Sequence, residues 1–369
     1  MVRLYLNDGH GNFTKAGTGW PSVSINSSCV RVGDFNGDGK PDLFVGARNV
    51  PGSYGVLPSS ALLQNMGNGK FEDVTASAAP QLASLGMVTD ARWADIDNDG
   101  QSELLVVGDW MPLKILKFSQ GRLQRIDSLP NSSGWWNCLT IADIDDDGDL
   151  DIIAGNNGLN SRIKADKDHP AKLFVEDFDQ NGQTECVPVF YKSDGKAYPY
   201  HLKGEIESAL PGLKKKFLRF DAYAGKSIQE IFTPAELKQA SVLSVDETRS
   251  SVFINDGKGA FVIKPLPIRA QFAPVFGVQV IDINHDGVKD LFLVGNFFGL
   301  KPQGGRFDAS YGTALLGNKK GDFTYSTPNE TGLFIKGEAR DVKLLNTANG
   351  PRIIVAINDA SPYVFKKVH

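Results

Sequence analysis

Cysteine is scarce. Three residues, Cys29, Cys138 and Cys186, serve a chain of 369. So small and odd a set, with no C-x-x-C pair, excludes a disulfide framework and a cysteine zinc site, and three buried thiols are expected. Long hydrophobic runs are missing too: none approaches the ~18 residues of a membrane helix. No charged start followed by an apolar stretch opens the chain, so no secretory signal is visible in it. A surplus of positive charge is absent. The 39 Lys and Arg face 43 Asp and Glu for a net charge of −4, which argues against a broad nucleic-acid-binding face. G-x-S-x-G, H-E-x-x-H and P-loop signatures do not occur. The five histidines, His10, His169, His201, His285 and His369, show no metal-ligand spacing. The expectation is therefore a non-catalytic protein. Glycine is plentiful instead. Gly and Pro total 58 without a collagen period, which predicts a fold rich in turns, and 41% hydrophobic with 22% charged residues excludes disorder.

The acids are concentrated in a repeat. Asp34–Asp42, Asp95–Glu103, Asp143–Asp151 and Asp282–Asp290 are four copies of one nine-residue pattern, and Asp177–Glu185 is a fifth, weaker copy. The first place holds Asp34, Asp95, Asp143, Asp177 and Asp282, and the third Asn36, Asp97, Asp145, Asp179 and Asn284. The fifth holds Asp38, Asp99, Asp147, Asn181 and Asp286, and the ninth Asp42, Glu103, Asp151, Glu185 and Asp290. Gly is invariant at the sixth place, where it permits a sharp turn. The seventh varies freely as Lys40, Gln101, Asp149, Gln183 and Val288, as expected where only a backbone carbonyl is used. Alternating oxygen donors around a glycine turn make a cage for a hard cation, and calcium takes six to eight such oxygens. An EF-hand would need Glu at the twelfth place, which here is Val45, Val106, Ala154, Pro188 or Leu293. A short apolar, β-rich run follows each loop instead, so calcium loops between strands are expected, four or five ions in all. Seventeen of the 43 acids sit at ligand places, and the other 26 face 39 cations, so five bound ions would move the net charge from −4 to +6.

A second repeat lies between the loops. Leu4–Phe13, Leu62–Phe71, Val252–Phe261 and the shorter Leu315–Phe323 each read as strand, Asn/Gly turn, strand. Loop unit plus hairpin gives four antiparallel strands, the blade of a β-propeller. The fold class expected is all-β, with residues 1–369 one propeller domain of seven blades. The hairpin near Leu4 lacks a preceding loop, so either the first blade is incomplete in a truncated chain or the hairpin closes the ring with the C-terminal strands. The unit near Asp341 keeps only its first acid, and Ile353–Ile357 and Tyr363–Phe365 are its expected later strands. Residues 203–240 break the pattern as a helical insertion: Ile206, Leu210, Leu213 and Phe217 share a helical face, Pro211 splits it, and Thr233–Glu236 is a helix start. Lys214–Lys216 there is either a solvated face or a partner patch.

These loops resemble FG-GAP (VCBS-type) repeats, which build the calcium-bearing propeller of integrin α-subunits. The whole chain resembles the C-terminal propeller of Bacteroidetes surface proteins that carry an ASPIC/UnbV domain, similar to the cartilage acidic protein family. Gln271–Gly277, Gly305–Gly312 and Gly155–Arg162 also fit that group. The resemblance implies a calcium-binding module of a larger, extracellular or outer-membrane-associated surface protein, acting as a protein- or glycan-binding adhesion scaffold. The rival expectation is a glycan-active propeller hydrolase or lyase. Trp135 and Trp136 are candidate ligand-stacking residues, with core packing of at least one of them the alternative.

Overall fold

The structure, a computed structural model, describes residues 2–17, 19–301, 305–348 and 350–366. Its strands run in chain order as β1 (Tyr5–Asn7), β2 (Phe13–Lys15), β3 (Ser27–Gly33), β4 (Asp42–Ala47), β5 (Ala61–Gly67), β6 (Lys70–Asp73), β7 (Met87–Ala94), β8 (Glu103–Met111), β9 (Lys114–Ser119) and β10 (Arg122–Ser128). There follow β11 (Gly134–Trp135), β12 (Cys138–Ala142), β13 (Asp151–Gly155), β14 (Ala171–Glu176), β15 (Glu185–Tyr191), β16 (Ala197–Pro199), β17 (Ser241–Val245), β18 (Ser251–Asn255) and β19 (Phe261–Pro265). The last are β20 (Val275–Ile281), β21 (Asp290–Gly295), β22 (Thr313–Gly317), β23 (Phe323–Ser326), β24 (Ala339–Thr347), β25 (Gly350–Ile357) and β26 (Tyr363–Lys366).

Seven sheets form among the described residues, and the fold class is all-β and propeller-like. Up-and-down blades are β3-β4-β5-β6, β20-β21-β22-β23 and the three-stranded β24-β25-β26. In another sheet β7 pairs β8, which continues to β9 and β10, with the short β11 beside β8. The hairpin β1-β2 stands as a two-stranded sheet. All four hairpins read from the second repeat are present. Near Asp341, β24 pairs with β25 as far as Thr347 opposite Gly350, which leaves no room for a nine-residue loop.

One sheet is nested inside another. The blade β12-β13-β18-β19 pairs β13 directly with β18, and the chain between them builds the separate sheet β16-β15-β14-β17. That inserted sheet begins and ends at neighbours, since Ala171 lies opposite Val245 in the β14–β17 ladder. Five short helices between Lys203 and Gln239 connect β16 to β17, as the helical pattern predicts. Their inner face, with Ile206, Leu210, Phe217, Ile228, Ile231 and Phe232, packs on Val187 and Val189.

Burial explains which runs became inner strands. Leu104–Val107 of β8 and Ile152–Ala154 of β13 are completely buried, so both faces of these strands are covered and no alternation is needed. The outermost strands β6, β19, β23 and β26 are far less covered, with exposed and half-buried residues and only Ser326 buried. The glycine closing an inner strand has a steric reason. A Cβ on Gly155 would lie 2.6 Å from the Val275 carbonyl oxygen and 2.7 Å from the Cys138 sulfur. Two compact units partition these elements: residues 1–89, 108–134 and 163–247, and residues 90–107, 135–162 and 248–369. Among the described residues, no helix is long and apolar enough to cross a membrane.

Candidate metal centres

All five acidic loops join consecutive antiparallel strands: β3–β4, β7–β8, β12–β13, β14–β15 and β20–β21. The ninth residue is in each case the first of the following strand. The Asp177 copy is thus a strand connection like the others, but in the inserted sheet.

The loops are shaped by their own acids. The first-place carboxylate accepts backbone N–H groups across the loop: Asp34 from Gly37 at 2.8 Å and Gly39 at 2.8 Å, Asp95 from Gly100 at 2.9 Å, Asp177 from Gly182 at 2.8 Å and Asp282 from Gly287 at 3.2 Å. The fifth-place oxygen accepts the N–H of the seventh residue in all five copies, at 2.9 Å for Lys40, 2.8 Å for Gln101, 2.9 Å for Asp149, 2.7 Å for Gln183 and 2.8 Å for Val288. Only the seventh residue's backbone takes part in that bond, which is consistent with its varied side chain. The backbone is left-handed at the sixth place and also at the fourth, where Gly37, Asn98, Asp146, Gln180 and His285 have φ between 57° and 74°.

Acid groups converge in three loops. Asp95, Asp97 and Asp99 bring one oxygen each within 4.8 Å of one another, as do Asp143, Asp145 and Asp151, and Asp177, Asp179 and Glu185. The loops at Asp34 and Asp282 carry Asn36 and Asn284 at the third place, where a carboxamide oxygen takes the carboxylate's role. Among the described residues, the buried oxygens that accept no hydrogen bond include Asp42 Oδ2, Asp143 Oδ1 and Asp145 Oδ1. A buried acceptor without a donor costs about 1–3 kcal/mol. All three belong to residues at ligand places, and every side-chain donor offered there is a hard oxygen. The residues therefore fit calcium. Burial, followed by the neighbouring charges of Asp147 and Asp143, holds the Asp145 carboxyl above its ordinary range. Burial likewise raises Asp42, Glu185 and Asp290, and lifts Asp151 to about 6.

The ninth acid does more than close a cage. Asp151 accepts from Ile144 N–H at 2.7 Å within its loop and from Asn255 N–H at 2.8 Å at the end of β18. Asp290 accepts from Ile283 at 2.7 Å and Gly317 at 2.8 Å, and Asp42 from Asn65 at 2.7 Å. The acceptor is thus each time tied to the end of the hairpin's first strand. Asn65 and Asn255 return the bond, donating Nδ2 to the eighth residue's carbonyl, Pro41 at 3.0 Å and Leu150 at 3.1 Å. In these three blades the two sequence repeats act as one device, in which hairpin clamps loop. Sequence reasoning read these asparagines only as turn formers. It also missed links between loops: Asn98 donates to Asp149 at 2.7 Å, and Lys289 to Asp146 at 2.8 Å.

The tryptophan pair divides. Trp136 is completely buried and packs edge-on against Phe253 with ring centroids 5.6 Å apart, so it is a core residue and cannot stack on a ligand. Trp135 is half-buried, and its backbone N–H donates to Asn156 Oδ1 at 3.2 Å. No disulfide joins the cysteines among the described residues, with Cys29 and Cys138 buried and Cys186 half-buried.

The FG-GAP-like repeat family matches residues 1–45 and 95–154. No curated protein sequence matches the chain. Among solved structures, an Agrocybe aegerita lectin described as recognising non-reducing terminal N-acetylglucosamine is 15% identical, with 93% of this chain and 81% of that one covered and a TM-score of 0.34. The V. cholerae biofilm matrix protein is 11% identical over 99% of this chain and 73% of that one, with a TM-score of 0.37. The matched segments include the whole of the loops at Asp34, Asp95 and Asp143, so the chain is an all-β, propeller-like protein in which these two segments are similar to FG-GAP-like repeats.

Proposed function

We propose that this chain is a calcium-binding, extracellular scaffold that presents a binding surface to a protein or glycan partner and performs no catalysis. The observation that carries the calcium reading is the set of buried, donor-less oxygens on Asp42, Asp143 and Asp145. An ion in these loops would supply what their acceptors lack and neutralise carboxylates that otherwise repel. Loops of this type fill where calcium is about millimolar, as outside cells.

Rigid loops at one end of a blade leave the other end for recognition. In the blade β3-β4-β5-β6, the loop at Asp34 joins β3 to β4, whereas the chain entering β3 and the β4–β5 connection lie at the opposite end. A cavity of about 670 Å³ opens there, lined by polar Ser24, Asn26, Asn49 and Ser59 among Val50, Pro51 and Pro58. Two buried acids outside the loops are held by arginines, Asp109 by Arg48 at 3.0 Å and Asp90 by Arg92 at 2.7 Å, an arrangement suited to structure. Thermal unfolding in 1 mM calcium and in excess EGTA, with metal content by mass spectrometry, tests the reading. A large stabilisation with three to five ions per chain supports it. Equal stability and no bound metal overturns it.

A further inference from the structure

The helical insertion holds two large apolar side chains out in water. Leu218 is 83% and Phe220 74% exposed. Fraying does not explain this, because the residues around them are anchored. Phe217, between Lys216 and Leu218, is buried in the insertion's core and meets Tyr223 edge-on at 5.6 Å. Tyr223 in turn donates its hydroxyl to the His201 carbonyl at 3.0 Å, and Lys216 donates to the Ile231 carbonyl at 2.8 Å. A firmly held turn thus directs Leu218 and Phe220 away from the core it is built on.

Charge surrounds them. Residues 213–220 contain Lys214, Lys215, Lys216 and Arg219 and no acid. Arg219 is engaged by Asp221 at 2.8 Å, and Lys203, 5.2 Å from the Phe220 ring centre, pairs with Glu207. Lys214 and Lys215 are exposed and make no ion pair among the described residues. Half-exposed Leu202 adjoins Lys203 and extends the apolar surface.

We propose that this tip docks on an anionic lipid surface, with Leu218 and Phe220 entering the headgroup boundary and Lys214 and Lys215 meeting lipid phosphates. The chemistry is that of shallow interfacial anchors, apolar side chains ringed by basic ones. An acidic peptide would satisfy the cations but leave two protruding apolar groups unused. A lipid surface engages both. The proposal is independent of the calcium reading.

The test is co-sedimentation of the whole chain with phosphatidylcholine vesicles, with and without phosphatidylglycerol, in calcium and in EGTA. Binding to the anionic vesicles alone is expected in both buffers, weakening as salt is raised. Lys214→Glu with Lys215→Glu should weaken it at least roughly thirtyfold. Leu218→Ser with Phe220→Ser should weaken it about tenfold or more, with melting temperatures unchanged because these side chains are already in water. No binding to anionic vesicles, or binding indifferent to both pairs of substitutions, overturns the proposal. So does binding that needs calcium and survives them, which would assign it to the loops. Equal affinity for soluble polyglutamate, insensitive to Leu218 and Phe220, would assign an acidic polypeptide instead.

Discussion

At the residue scale, the fourth loop place asks for a backbone conformation and accepts any chemistry that provides it. Gly37 meets the left-handed requirement without strain, while Asn98 and Asp146 belong to the residue types that tolerate it. Gly37→Ala should therefore cost about 1–2 kcal/mol, read by urea unfolding. The invariant sixth glycine announces its role in the sequence, whereas five different residues at the fourth place conceal theirs. The sequence proposes the ninth acid as a cation ligand but does not reveal it as a clamp, because its second partner lies on a strand far along the chain. That difference can be measured. Asp151→Ala strands the Ile144 and Asn255 N–H groups, so it should lose about 2–4 kcal/mol even in EGTA. Asp145→Asn removes a charge raised by burial and by its neighbours, so it should leave stability in EGTA unchanged or higher and abolish the calcium increment of its loop. If both variants lost equally in EGTA, the distinction between clamp and cage would fail.

At the element scale, inner strands are recognisable as unbroken apolar runs, and the hairpins by their Asn/Gly turns. The hairpin β9–β10 was not, since its turn is Gln120-Gly121, with both residues left-handed but no asparagine to mark it. Close approach at the end of β13 makes Gly155 irreplaceable. Gly155→Val must displace the Val275 backbone, and a loss of several kcal/mol is expected, seen as a melting temperature lowered by ten degrees or so. The helix start at Thr233 was legible from capping chemistry, and Thr233 does accept from Glu236 N–H at 3.3 Å. The next helix upstream carries the same device. Glu230 accepts from Ser227 N–H at 2.9 Å, and that bond, followed by Lys226, holds its carboxyl at about 2. A folded-state value below the unfolded one means that the cap's contribution is complete above about 4.5 and disappears as pH falls through about 2. Glu230→Gln should accordingly flatten the acid limb of the stability curve between those values.

At the scale of the whole molecule, the acids that make the chain negative are the ones assigned to metal. Five bound ions would turn −4 into +6, so the protein should migrate to the anode in EGTA and to the cathode in calcium at pH 7. Unchanged mobility would mean that the loops are turns. The nesting of one sheet within another was invisible in the sequence, because the pairing of β13 with β18 is set by what the intervening residues fold into and not by any local pattern. Its consequence concerns birth order. As the chain leaves the ribosome at ~5–20 residues per second, β13 waits several seconds with an open edge before β18 exists to cover it. Closing so long a span from a random coil would be slow and would invite mispairing. The insert has its own core and begins and ends at paired residues, Ala171 beside Val245. Once folded, it returns the growing chain to where it left, and a distant encounter becomes a local one.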